Sequence, residues 1–492
     1  MGKNKKVVVI GSGFAGLAAA ANLAYKGFEV TVLEKNATPG GRARTFDAEG
    51  FTFDMGPSWY WMPDVFEHFF ERLGRKRADY YELIRLDPSY TVTFADGDVM
   101  RVPATLDELE KMFEHYEAGS SQKLKKFLAE AEYKYKVGMG EFVQKPSHSI
   151  FEFADLRVLS SLFRLQMLTN MRTHVGKLFK NKKLRDLLEF PVLFLGATPQ
   201  NTPAMYSLMN YADIVGGTWY PKGGMFKIIE AMLRVCEELG VKVRLEQNVT
   251  EIVVKNGMAT QVITEKDIFD ADFVVGGADY HHLDQKVLKP EHRNYDEKYW
   301  DKRTMAPSSL LFYLGVKGKI SGLEHHNLFF DEDFDAHAHE IYTEPRYPAK
   351  PLFYASAPSK TDDTVAPEGC ENLFLLIPLA PDLEDNEETR ELYYDIIMTR
   401  LERWTGQEIR SKVIYKRSFA HNDFKQDYNA YKGNAYGLAN TLLQTAFLKP
   451  KLRAKKIKNF YFTGQLTVPG PGVPPSLISG AIVADEIEKY FK

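Results

Sequence analysis

Short unbroken apolar runs, and longer stretches with apolar residues every three or four positions, divide this chain into strands and helices. Val7-Val8-Val9-Ile10 and Glu29-Val30-Thr31-Val32-Leu33 are runs of the first kind, rich in β-branched residues, and the alanine-rich stretch between them reads as a helix. The alternation returns further on, with a helix over Met225 to Leu239, strands over Val241 to Leu245 and Val249 to Val254, and a buried strand within Asp270 to Ala278. A second set of strand-like runs, Ser309 to Val316, Pro351 to Ala357 and Glu371 to Leu379, precedes a helical pattern from Thr389 to Trp404. Between them, residues 317–350 carry His325, His326, His337 and His339 and read as a solvated loop. The chain closes with a strand from Asn459 that ends in a turn at Gly464. A Pro- and Gly-rich stretch incompatible with regular structure follows, and helical pattern resumes at Ser476.

The first strand-helix junction carries chemistry. In Gly11-Ser12-Gly13-Phe14-Ala15-Gly16, Gly11 permits the tight turn, Gly13 lets the backbone approach a pyrophosphate and Gly16 lets helix and strand pack closely. The helix amides and dipole hold the phosphate charge. Glu34 ends the second strand about 20 residues past the turn, where an acid hydrogen-bonds an adenosine ribose. A carboxylate there favours a free 2′-hydroxyl over a 2′-phosphate, so FAD or NAD fits better than NADP. Gly-rich turns occur wherever a strand meets a helix; it is the order strand, turn, helix, strand, acid that marks a dinucleotide site. Directly after Glu34, Thr38-Pro39-Gly40-Gly41-Arg42-Ala43-Arg44 adds backbone amides and cationic forks suited to phosphates or an isoalloxazine edge.

With Phe51-Thr52-Phe53-Asp54-Met55-Gly56-Pro57-Ser58 following soon after, this N-terminal region resembles the FAD-dependent amine-oxidase and phytoene-desaturase superfamily. The C-terminal Tyr461-Phe462-Thr463-Gly464-Gln465 and Val468-Pro469-Gly470-Pro471-Gly472-Val473-Pro474 sharpen the likeness to the bacterial-type phytoene desaturases, and to the lycopene-forming ones among them. Gly217 to Gly224, Ala366 to Gly369 and Leu443 to Pro450 agree, so the resemblance spans Val7 to about Glu486. One departure is Gln465, where many flavoproteins place an Asp.

The resemblance implies an α/β fold: a Rossmann-like FAD-binding domain assembled from residues 1–90, 220–290 and 445–492, and an interleaved α+β substrate domain from 91–219 and 291–444. It implies FAD as cofactor, held by Gly11, Gly13, Phe14, Ala15, Gly16, Glu34, Lys35, Gly41, Arg42 and Arg44 near the N-terminus. Gly56, Pro57, Ser58, Val249, Gly464, Gln465, Gly472, Val473 and Pro474 complete the expected contacts. Asp155 and Arg157 lie near where the family has an acidic and a basic residue facing substrate, and they are the candidate catalytic pair, although both also suit surface charges.

Composition fits this class. A chain of 492 residues exceeds one compact core, and its 44% hydrophobic and 13% aromatic content can build an apolar pocket as well. A net charge of -3 gives no overall attraction to nucleic acid, and two cysteines, Cys236 and Cys370, suit a reducing compartment. The four histidines of 317–350 show no ligand spacing, so no metal is expected. Arg157 to Arg185 mixes apolar residues with Arg164, Arg172, Lys177, Lys180, Lys182 and Lys183, compatible with basic amphipathic helices. A solvated helical cap gives the same pattern. Because a long hydrocarbon substrate must be drawn from a bilayer, a cap over about 150–190 is expected to attach peripherally to the cytoplasmic side of the membrane.

The expected activity is phytoene desaturation to lycopene, with hydride passing to the flavin and electrons onward to a quinone or oxygen, since no second GxGxxG unit offers a nicotinamide site. Another polyene is the alternative, as for a hydroxycarotenoid 3,4-desaturase or a diapocarotenoid desaturase, and a flavin amine oxidase is a further one. Oligomeric state is not legible in the sequence.

Overall fold

A computed structural model describes residues 5–149, 152, 166 and 169–490. Its first sheet is parallel throughout, in the order Phe460–Phe462, Phe273–Gly276, Lys6–Ile10, Glu29–Leu33, Lys242–Arg244. Three segments far apart in sequence thus supply one sheet. Both faces are covered, which is why the strands are unbroken apolar runs. Val7, Val9, Val30, Val32 and Val275 pack on the helices Phe14–Tyr25, Phe226–Glu238 and Val473–Lys489. Val8, Ile10, Val274 and Phe460 pack towards a three-stranded antiparallel layer, Val249–Lys255, Met258–Thr264 and Ile268–Asp270. The helix Phe14–Tyr25 is buried along most of its length, and small residues allow it: a Cβ on Gly16 would lie 2.0 Å from Gly11 O, and one on Gly480 would lie 2.5 Å from Ala15 O.

The second sheet has seven strands, in the order Val413–Phe419, Ser308–Lys317, Cys370–Leu379, Phe353–Ser356, His326–Phe330, Tyr90–Phe94, Val99–Val102. His326–Phe330 pairs parallel with Tyr90–Phe94 and its other neighbours run antiparallel. Register places Leu311, Leu376, Tyr354 and Leu328 side by side across four strands. On the opposite face Phe312, Phe329, Phe353 and Leu375 pack on Tyr394, Ile397, Met398 and Leu401 of the helix Glu387–Thr405.

The three expected strands of this sheet and its helix fall within a few residues of their predicted limits, but residues 317–350 are not a solvated loop. They hold the strand His326–Phe330 and the helix Phe334–Tyr342, with His325, His326 and His337 buried and only His339 of the four exposed. Histidine and charged residues concealed the strand's apolar pattern. The closing helix also starts earlier than predicted, at Val473, because Pro474 and Pro475 occupy its first turn, where the missing N–H leaves no intrahelical bond unmade.

The helices Met171–Leu178 and Lys182–Glu189 turn Met171, Val175, Leu184, Leu187 and Leu188 into the protein core, so their apolar side does not face lipid as predicted for the cap. Several of their cations are ion-paired: Arg172 with Glu189 and Asp335, Lys182 with Asp186, Lys183 with Asp96 and Asp98. Asp155, Arg157 and Arg164 lie outside the described residues. Among the described residues, no helix is long and apolar enough to cross a membrane.

Candidate active site

A cavity of about 490 Å³ lies between the two sheets. One end is bounded by the first strand-helix turn, and the other runs over the second sheet. Among the expected contacts, Gly11, Gly13, Phe14, Ala15, Glu34, Lys35, Gly41, Arg42, Gly56, Pro57, Ser58, Val249, Gly464, Gln465, Gly472, Val473 and Pro474 all line it. Gly16 and Arg44 do not. Gly16 serves helix packing, and Arg44 is drawn away by Asp427, to which its Nη2 donates, while its guanidinium lies 5.2 Å from the Tyr428 ring centroid.

Local backbone geometry explains the glycines at the nucleotide end. Gly11 has φ +98°, and a Cβ there would stand 3.0 Å from Ala278 N, where strand Phe273–Gly276 ends against the turn. A Cβ on Gly41 (φ +57°) would come 3.2 Å from Gly13 Cα, so side chains at this crossing would fill the space a phosphate needs. Glu34, 4% exposed, accepts from Ser12 N (2.9 Å) and Ser12 Oγ (2.7 Å) on one oxygen and from Asn36 N and Nδ2 (both 3.0 Å) on the other. It therefore braces the glycine turn, and a ribose hydroxyl would share it with these donors. Lys35 reaches across to Gln426 O (2.6 Å) and Asn429 Oδ1 (3.4 Å).

At the middle of the cavity, Arg42 donates to Asn434 O at 3.3 Å, and burial lowers its basicity. Its Nε is buried without a partner. With the Gln465 amide oxygen turned towards it, that oxygen accepts from Arg42 Nη1 and Nη2 at 3.2 and 2.9 Å. Gln465 thus acts through the arginine. Asp279, not anticipated from sequence, also lines the cavity; burial pushes its carboxyl up to about 6, against Arg42 and the His282 N–H. The prolines of the closing helix carry no N–H, leaving Val473 N as the first-turn amide able to face a ligand, since Ser476 N already bonds Gly472 O. The glycine cradle, the orphaned guanidinium nitrogen and the free helix amide together fit FAD.

The far arm is apolar. Trp59, Trp61, Phe190, Leu193, Met209, Phe330, Phe334 and Ile341 line it, together with the row Leu311, Leu376, Tyr354 and Leu328. Composition allowed an apolar pocket without naming these side chains, because cross-strand neighbours far apart in the chain leave no local pattern. Trp59 stacks on His326, with centroids 4.2 Å apart. Tyr354 O–H donates to Ser58 Oγ (3.1 Å) and is 2.6 Å from His326 Nδ1, which therefore carries the proton of that contact and leaves Nε2 bare and unpartnered. His337 has both ring nitrogens engaged: Nδ1 accepts from Leu352 N and Nε2 donates to Pro378 O, both at 3.0 Å. Burial pushes it down to about 4, so it is a neutral imidazole. The carboxylates that line the cavity, Glu34, Asp279 and Asp427, all belong to its nucleotide end.

Comparison with known proteins follows this geometry. The model of the flavin containing amine oxidoreductase family matches residues 14–488. A carotenoid 3,4-desaturase of Haloarcula japonica is 42% identical over 98% of this chain and 97% of its own length. A zeta-carotene-forming phytoene desaturase of Myxococcus xanthus is 32% identical over 99% of this chain and 94% of its own. Among solved structures, wild-type putrescine oxidase bound to putrescine superposes with a TM-score of 0.63 at 14% identity, covering 99% of both chains, a likeness of fold.

Proposed function

We propose that this chain, which belongs to the carotenoid desaturases of the flavin containing amine oxidoreductase family, uses FAD to introduce a double bond into a linear polyene at its 3,4 position. The observation carrying the desaturase reading is the single cavity in which a dinucleotide cleft opens into an arm of aromatic and aliphatic side chains. The 3,4 position rests on the identity with the Haloarcula japonica relative.

Desaturation removes a hydride from one carbon and a proton from its neighbour; bound FAD supplies the hydride sink. Gly11, Gly13, Gly41 and Val473 N would hold its phosphates and ring system, with Glu34 and Lys35 at the adenosine end. The arm's own residues align and dry the polyene: Leu311, Leu376, Tyr354 and Leu328 form a straight floor, and Trp59, Trp61 and Phe330 wall it. Allylic positive charge developing after hydride loss is delocalised along the chain and attracted by those aromatic faces. Such a cation loses its proton readily, so no strong base is required, in keeping with a neutral His337 and with carboxylates confined to the nucleotide end. Ser58, Tyr354 and His326 hold one another and fix the hydroxyl at the junction of cleft and arm. Electrons leave to a quinone or oxygen, and the protein works peripherally at the cytoplasmic face of the membrane, where its substrate dissolves.

The test is anaerobic incubation of FAD-loaded protein with lycopene or phytoene in liposomes plus a quinone, followed by chromatography with visible detection. A 3,4-desaturated product from lycopene supports the proposal. Lycopene formed from phytoene instead supports the phytoene-to-lycopene activity expected from sequence. Flavin reduction by amines alone overturns both. Co-flotation with vesicles checks the membrane assignment, and protein left at the bottom of the gradient refutes it.

A further inference from the structure

Lys449 is 2% exposed and its Nζ has no hydrogen-bond partner. Asn440 is 6% exposed, and its Oδ1 is equally without one. Both converge on one point of the backbone: a Cβ built on Gly470 would lie 3.1 Å from Asn440 Oδ1 and 3.3 Å from Lys449 Nζ. Gly470 sits in the loop after Gly464, and the residues that follow it, Pro471, Gly472 and Val473, line the cavity. The lysine is thus directly behind the wall at the junction of dinucleotide cleft and apolar arm. The same stretch of wall faces the cavity that would hold FAD.

A buried amine with neither acceptor nor counter-charge is costly, and such a group is retained where a ligand repays the cost. Burial alone governs Lys449, with no charged side chain acting on it, and pushes it down to about 7. An amine so poised gains or loses its proton in response to any charge that develops nearby.

We propose that Lys449 is the charge-compensating residue of the bound cofactor, positioned by Asn440 behind the Gly470 loop. When hydride transfer adds two electrons and one proton to the neutral flavin, the ring gains one negative charge. The polyene's second hydrogen leaves as a proton to solvent, and the Lys449 amine takes up one proton from solvent, so charge in the cleft balances. The inference rests on the flavin occupying this cavity and not on which polyene is desaturated. Its test uses no polyene, so its failure leaves the substrate assignment standing.

The experiment is the flavin midpoint potential, measured by equilibration with indicator dyes, in FAD-loaded wild-type protein and in Lys449→Met and Lys449→Arg. The methionine variant is expected to bind FAD with a more negative potential, and the arginine variant to stay close to wild type. A methionine variant that keeps both its flavin and the wild-type potential overturns the proposal. Should that variant not fold, the wild-type potential against pH decides. Above about pH 7, two protons taken up per two electrons together with the absorbance of an anionic reduced ring support Lys449 as the acceptor; one proton, or two with a neutral reduced ring, refutes it.

Discussion

At the level of single residues, Glu34 is both where the sequence places it and busier than the sequence shows. Its carboxylate receives four donors from Ser12 and Asn36. Glu34→Ala leaves the buried Ser12 N–H unpaired at a cost of about 1–3 kcal/mol, so FAD affinity is expected to fall roughly ten- to a hundredfold in a fluorescence titration. An unchanged affinity would mean that this carboxylate serves neither turn nor ribose. His337 offers a pH test. It is neutral in the fold, with its pKa pushed down to about 4 from 6.5, so the unfolded chain binds a proton first as pH falls. Stability is therefore unaffected by His337 above about pH 6.5 and is lost as pH drops towards 4, by up to about 3 kcal/mol. Buried carboxylates such as Asp279 act with opposite sign over part of this window, since burial raises them. The comparison to make is thus denaturation of wild type against His337→Gln. The wild type should lose more stability on acidification, and parallel curves would refute a neutral buried imidazole.

At the level of elements, the glycine turn, its strands and the body of the closing helix are legible because local patterns determine them, unbroken apolar runs and turn glycines, whereas the prolines of the closing helix's first turn hide its start. The strand His326–Phe330 is not legible, since burial of its histidine depends on Trp59 and Tyr354, which arrive from distant segments. Amphipathic pattern likewise showed that the helices Met171–Leu178 and Lys182–Glu189 have an apolar side but not what covers it. Their seating depends on Arg172, which bridges buried Glu189 at 2.6 Å and Asp335 of the helix Phe334–Tyr342 at 2.7 Å. Arg172→Ala strands a buried carboxylate and is expected to lower stability by about 1–3 kcal/mol in urea titration, with FAD affinity unaltered. Gly480→Leu is expected to do more. Its side chain would meet backbone of the helix Phe14–Tyr25, so helix separation should abolish FAD retention on gel filtration, and a variant that keeps its flavin would contradict the close crossing.

At the level of the whole molecule, the cavity belongs to neither sheet alone: Gly11 and Val473 come from around one, Leu328 and Leu376 from the other. A ligand spanning that boundary stabilises both at once. Saturating FAD, at about a hundred times its Kd, should raise unfolding free energy by about 2.7 kcal/mol and move a single cooperative transition in calorimetry. A shift in only one of two resolved transitions would argue for independent halves. Sequence by itself determined the dinucleotide turn, the strands of the first sheet and three of the seven strands of the second, because each is encoded by neighbours within a few tens of residues. Only the tertiary structure decided that Arg44 faces Asp427 rather than the cavity, that three histidines are buried and neutral, and that Lys449 stands uncompensated behind the Gly470 loop. Those outcomes depend on which distant groups share a low-dielectric interior, and chain order carries no record of that proximity.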